Sequence, residues 1–101
     1  MTKKRKAYKE AAERDNGACV ICNGKADDVH HFIFKSQGGD DIVNNLVCLC
    51  RLHHEQAHAR HGNIDRLITE YLESHYGKFT KQSLKKKGRY DGFKYWFTKL
   101  A

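Results

Sequence analysis

The chain has 101 residues, a formal net charge of +7 and a mean hydropathy of −0.79, with 40% of its residues hydrophobic. That size fits one domain whose core is small enough to need a staple such as a metal, a disulfide or a partner. No apolar run approaches a membrane span, and the opening MTKKRKAYK is charged with no apolar leader region, so a cytoplasmic protein with no membrane partner is expected. Four cysteines in such a setting are expected to be reduced, which ranks metal binding above disulfides.

The charge is unevenly placed. Residues 1–26 hold seven Lys/Arg against three Asp/Glu, residues 27–77 four against eight, and residues 78–101 eight against one. Two basic ends around an acidic middle suit a protein that meets phosphates, and a merely solubilising surface would look the same.

In chain order, residues 3–15 predict a helix with Glu10 and Arg14 at i,i+4, a weak stripe of Tyr8, Ala11 and Ala12, and a stop at Gly17 after Asn16. CVICNG is a tight turn between thiols. DVHHFIF, from Asp28 to Phe34, reads as a strand, KSQGGDD as a loop in which Gly38-Gly39 permits positive φ, and Val43 to Cys50 as a second extended stretch. Together these make a β-hairpin with a long loop. RLHHEQAHAR predicts a helix ending near Gly62. Asn63 is expected to cap the next, with Ile64, Leu67, Ile68, Tyr71 and Leu72 on one apolar face and Gly77 at its end. Thr80 is expected to cap a short basic helix through Lys87, and Asp91 a last one whose Phe93, Trp96, Phe97 and Leu100 stripe serves packing.

Cys19-x-x-Cys22 and Cys50-x-x-His53 are two chelating pairs, each able to converge through a turn on one edge of an ion. Together they complete the closed tetrahedron of a structural Zn²⁺ site. Cys48 is the alternative fourth ligand, because on a regular strand it shares a face with Cys50; otherwise it is a small buried hydrophobe. A second set follows at once. His54 and His58 are i,i+4 on the predicted helix, stacked on one face and turned back toward the hairpin that carries His30 and His31. Two ligands from a helix and one from a strand leave coordination positions open, the mark of a catalytic ion. Consecutive strand residues point to opposite faces, so one histidine of the pair can bind the ion while the other stays free as a general base for water.

The stretch DVHHFIFKSQGGDDIVNNLVCLCRLHHEQAH resembles the core of the HNH endonucleases, which have the ββα-metal nuclease fold. The likeness covers roughly residues 14–61: a Cys-x-x-Cys, a His-His step, a GG loop, Asn-Leu-Val, and Leu-Cys followed by closing histidines. It departs at His53, where the family usually has Cys. The resemblance implies an α+β fold: a ββα-metal core over 18–62, a basic N-terminal helix over 1–17, and a helical basic tail over 63–101, all in one domain. It implies His30, His54 and His58 as ligands of a catalytic ion and His31 as general base. Asn45 (with Asn44 as a rival register) would fix the base-bearing loop or help bind metal. The ion expected is Mg²⁺ or Mn²⁺, while histidine-rich ligands also suit Zn²⁺, Ni²⁺ or Co²⁺.

The activity implied is hydrolysis or nicking of DNA phosphodiesters, leaving 5′-phosphate and 3′-hydroxyl ends, in phage or bacterial packaging, recombination or restriction. A protein partner such as a packaging or recombination factor would then set the cutting position. Arg51, Arg60, Lys85, Lys86, Lys87 and Arg89 are candidate phosphate contacts, with the Lys3–Lys6 run and His61 as further ones. None of them reads bases, so low sequence specificity is expected. The alternative is a zinc-knuckle DNA-binding module without activity.

Overall fold

A computed structural model describes residues 2–86; the predicted last helix from Asp91, and the candidates Lys87 and Arg89, lie outside the described residues. The fold is α+β: helix α1 (Lys3–Arg14), strands β1 (Asp28–His31) and β2 (Leu46–Leu49), helix α2 (Arg51–His58) and helix α3 (Ile64–Tyr76). The strands form an antiparallel pair in which Val29 faces Cys48 and His30 faces Val47.

Every residue of β2 is buried, because the hairpin is covered on both faces. Alternation along the strands sorts the side chains. Leu46 packs with Ala7 and Ala11 of α1, flanked by Tyr8, Val29 and Val43. Val47 and Leu49, on the other face, pack with Ala57 of α2 and with Ile64, Ile68 and Leu72 of α3. Burying each of those large aliphatic side chains contributes about 1.5–3 kcal/mol. The small residues of the α1 stripe are what let that helix approach the sheet closely. Arg14 turns inward rather than toward Glu10. Its guanidinium donates to Asp15 at 2.7 and 2.9 Å and to the carbonyls of Val43 and Leu46. Asp15 in turn accepts from Tyr71 and from the Cys48 backbone N–H, which ties α1, β2 and α3 together.

Several elements differ from expectation for local reasons. Strand β1 stops at His31, because Asn45 takes over the backbone of Ile33. Val43–Asn45 is a 3-10 turn, not strand, so the extended segment begins only at Leu46. Asn63 occupies the cap position of α3, but its side chain makes no capping bond. Leu67 falls at the edge of the apolar face of α3 and is 40% exposed. Thr80 does cap, accepting from Ser83 N–H, yet the turn it starts is 3-10 and ends at Leu84. Beyond it the chain is extended: Lys85 pairs with Gly39, the Asp40 N–H donates to the Leu84 carbonyl, and the Lys86 N–H to that of Gly38. Gly38 has the positive φ expected of it, 86°. Gly39 is needed for a different reason, since a Cβ there would lie 1.7 Å from the carbonyl oxygen of Ile33.

Candidate metal centres and the adjoining cleft

The thiols of the CVICNG turn are positioned by the backbone. The Cys19 N–H donates to Gly24, the Asn23 N–H returns to Cys19, and the Gly24 N–H points at the Cys22 sulfur at 3.4 Å. The Val20 N–H donates to the Cys48 carbonyl and fastens the turn to β2. Cys50 ends the strand and starts α2, which brings His53 round by one turn of helix. The Asp27 carboxylate accepts the Arg51 N–H at 2.8 Å, capping that helix from outside it.

The ligand atoms of Cys19, Cys22, Cys50 and His53 all lie within 4.8 Å of one another. Cys22 Sγ and Cys50 Sγ are 3.9 Å apart, and His53 Nδ1 stands 3.2 Å from Cys50 Sγ and 3.6 Å from Cys19 Sγ. A tetrahedral ion with sulfur at about 2.3 Å and nitrogen at about 2.0 Å requires edges of about 3.8 and 3.5 Å. These four residues therefore fit a tetrahedral metal. Burial opposes the Cys19 thiolate, but the N–H groups of Cys50, Cys22 and Ile21 around its sulfur outweigh that and lower its pKa to about 6. Cys48 does not take part. The chain turns out of the strand before Cys50, so the two thiols diverge. Cys48 points instead to the Ala11 carbonyl on the α1 face, where burial and the nearby Asp15 carboxylate push its pKa up to about 11.

His30 and His31 diverge as consecutive strand residues must. The His30 ring meets those of His54 and His58 edge-on, at 5.1 Å between centroids in each case. The three ligand nitrogens lie within 4.8 Å of one another, with His54 Nε2 and His58 Nε2 at 3.0 Å. Burial runs from His30, buried, through His54, half-buried, to His58, exposed, so the set opens to one side. Burial first, then the nearby imidazoles and Arg60, lower the His30 pKa to about 3, leaving the neutral ring that a metal needs. Asp28 accepts from His54 Nδ1 at 3.0 Å, and Arg51 Nε stands 3.3 Å from the same carboxylate oxygen. With its proton fixed on Nδ1, His54 turns Nε2 to the other two histidines.

His31 lies on the α1 face. It is 8% exposed, with Tyr8 edge-on at 5.9 Å and its Nε2 2.8 Å from Asp41 Oδ1. It still shares a cleft of about 350 Å³ with His30, His54, His58, Phe34 and Lys35. At Asp41, burial is outweighed by the bond from His31 and the positive charge of Lys35, which hold the carboxyl below its ordinary pKa. Asn45 is wholly buried. Its Oδ1 accepts from Ile33 N–H, and its Nδ2 donates to the carbonyls of Ile33 and Asp40. Of the two roles expected of it, the geometry suits the clamp on the loop, because the oxygen and the nitrogen of its side chain are both engaged by the backbone of Ile33 and Asp40.

The remaining candidates separate. Arg51 is engaged by Asp28, and Arg60, turned by a φ of 51°, pairs with Asp65 and Gln37 over the Phe34 ring. His61 follows the end of α2 and so does not continue its stripe. Lys85 and Lys86 line a second cleft with Lys3, Asp40 and Asp41. Sequence reading passed over Asp28 and Asp41. Asp28 carries a signal, being two residues before His30 on the same strand face; Asp41 does not, since the loop alone brings it to His31.

Among the described residues no helix is long and apolar enough to cross a membrane. No established family profile matches the sequence. Over 64 residues the chain is 34% identical to Anaredoxin from Nostoc sp., a match that takes in 60% of this chain and 83% of the relative. With a third of the aligned positions identical over most of that protein's length, the chain belongs to the same family as Anaredoxin.

Proposed function

We propose that the chain is a metal-dependent endonuclease of the HNH type, hydrolysing DNA phosphodiesters with little sequence preference. The observation that carries this reading is the open set of His30, His54 and His58 sharing one cleft with a histidine, His31, that belongs to neither ligand cluster. In this reading Cys19, Cys22, Cys50 and His53 hold a structural Zn²⁺, for which their edge lengths are suited. His30, His54 and His58 hold the second ion. An all-imidazole set suits Zn²⁺, Ni²⁺ or Co²⁺ better than the oxygen-seeking Mg²⁺ or Mn²⁺.

When bound, that ion supplies positive charge for the phosphorane oxygens and the leaving 3′ oxygen. The protein's own part falls to His31. Its unprotonated nitrogen takes a proton from water as the water oxygen bonds to phosphorus. The bond from phosphorus to the 3′ oxygen breaks, that oxygen is protonated by solvent, and the ends are a 5′-phosphate and a 3′-hydroxyl. Lys35, on the wall of the cleft, is placed to meet a phosphate oxygen.

The test is plasmid nicking with each divalent cation in turn, an EDTA control and the variant His31→Ala. The expected outcome is cleavage that depends on the cation and falls about 10²–10⁴-fold in the variant, with the Cys-cluster metal retained. Undiminished cleavage by His31→Ala would remove the base assignment, and no cleavage with any cation would leave a metal-stapled DNA-binding module.

A further inference from the structure

The loop after β1 is anchored more heavily than a connection needs, and its anchors converge on one residue, Asp40, through both its backbone and its carboxylate. Asp40 is held from three directions: Lys3 of α1 at 2.9 and 3.0 Å, the Leu84 carbonyl at 2.9 Å, and the Asn45 side chain at 3.1 Å. Its own carboxylate accepts the Asp41 N–H at 2.8 Å. Asp41 is thereby fixed with Oδ1 against His31 Nε2 at 2.8 Å, in a setting where its side chain is only 16% exposed. We propose that Asp41 is a positioning residue for His31, holding the imidazole proton on Nε2 so that Nδ1 is the atom left to act as base.

The argument is one of tautomers. A neutral imidazole carries one proton on two nitrogens, and a carboxylate can only accept, so the nitrogen facing it bears the proton. Asp28 faces Nδ1 of His54 and leaves Nε2 for a cation; Asp41 faces Nε2 of His31 and leaves Nδ1. Two carboxylates thus grip opposite nitrogens of two histidines given different work. Without Asp41, His31 would divide between tautomers and rotate against Tyr8, and only part of the population would present a lone pair at the correct atom. The role of Asp41 in cleavage rests on the endonuclease reading; the tautomer does not.

The experiment has two arms on the full-length, metal-loaded chain. Long-range ¹H–¹⁵N spectra of the imidazoles read the tautomer directly. His31 is expected as the Nε2–H form in the native protein and in Asp41→Glu, and as a mixture in Asp41→Ala, with His54 unchanged throughout. Steady-state nicking is expected to lose about 10²-fold in kcat in Asp41→Ala, within what a positioned base contributes, with KM little changed and partial recovery in Asp41→Glu. A merely structural ion pair would lower the melting temperature and leave the His31 tautomer alone. If Asp41→Ala does not fold, Asp41→Asn preserves the shape and is read the same way. Native His31 protonated on Nδ1, or a tautomer and kcat indifferent to Asp41, overturns the proposal. If the native chain cuts nothing with any cation, the endonuclease reading falls, and the spectra alone decide whether Asp41 fixes His31.

Discussion

His53 and His54 are neighbours on one helix and belong to different clusters. An α-helix turns about 100° per residue, so His53 is carried toward the thiols and His54 toward the hairpin. The first cluster has four donors at tetrahedral spacing, includes the buried Cys19, and joins the CVICNG turn to the start of α2. The second has three donors, runs from a buried ring to an exposed one, and borders a cleft. A closed set satisfies its ion completely and can only hold the chain together; an open set leaves places for water and substrate oxygen. One eight-residue helix therefore contributes to two donor sets, which in the proposed reading serve stability on one side and chemistry on another.

The sharpest way to break that contrast is to empty the closed cluster. Structural Zn²⁺ binding is worth about 10–16 kcal/mol in small domains, as much as or more than the whole stability of a typical one. Cys19→Ser, or exhaustive chelation, is expected to abolish the cooperative thermal transition followed by circular dichroism, with zinc restoring the chelated chain. Emptying the open cluster, as in His54→Ala, is expected to leave that transition in place. A chelated chain that melts as the native one does would show that the thiols are no staple.

This division was legible in the sequence to the extent that spacing decides it. Cys-x-x-Cys, Cys-x-x-His and the i,i+4 histidines are local patterns, and local geometry brings each pair together whatever the rest of the chain does. The fate of Cys48 was not legible. Its parity with Cys50 holds only on a continuous strand, and the chain leaves the strand before Cys50 to cap α2. Arg14 misled for the opposite reason. A helical i,i+4 partner contributes only about 0.2–0.5 kcal/mol, and a buried carboxylate with two waiting carbonyls outweighs it. Asp41 reaches His31 through a loop whose path depends on Asn45 and on the missing Cβ of Gly39, contacts that no periodicity encodes.

A milder change sharpens the comparison by touching the open cluster without removing a ligand. Asp28 holds the proton of His54 on Nδ1, and partners of this kind typically contribute 10–100-fold to metal affinity, so Asp28→Asn is expected to weaken the open site by about that factor. Cobalt distinguishes the sites, because thiolate ligands give it intense charge-transfer absorption that imidazoles do not. The weaker site's d–d bands should shift to higher Co²⁺ concentration while the thiolate bands keep their titration. Equal weakening of both would mean that the two clusters are mechanically one.

The smallest effect tests whether the polar network at Asp15 adds stability of its own, outside both clusters. Tyr71 of α3 donates to Asp15, and its pKa is raised from 10.0 to about 12 by burial first and then by that bond and the Asp15 charge, with Arg14 opposing. The folded value lies above the unfolded one, so the stabilisation is fully present below pH 10 and is lost as pH rises toward 12, where the unfolded chain releases its proton first. Tyr71→Phe has no phenol to titrate. Its unfolding free energy is expected to be lower than the native value below pH 10, and the two curves are expected to converge between pH 10 and 12. The other tyrosines and the thiols titrate in both proteins and cancel in the difference. Curves that stay parallel through that interval would mean that the Tyr71–Asp15 bond adds nothing, and that the apolar packing of α1 and α3 against the hairpin suffices without it.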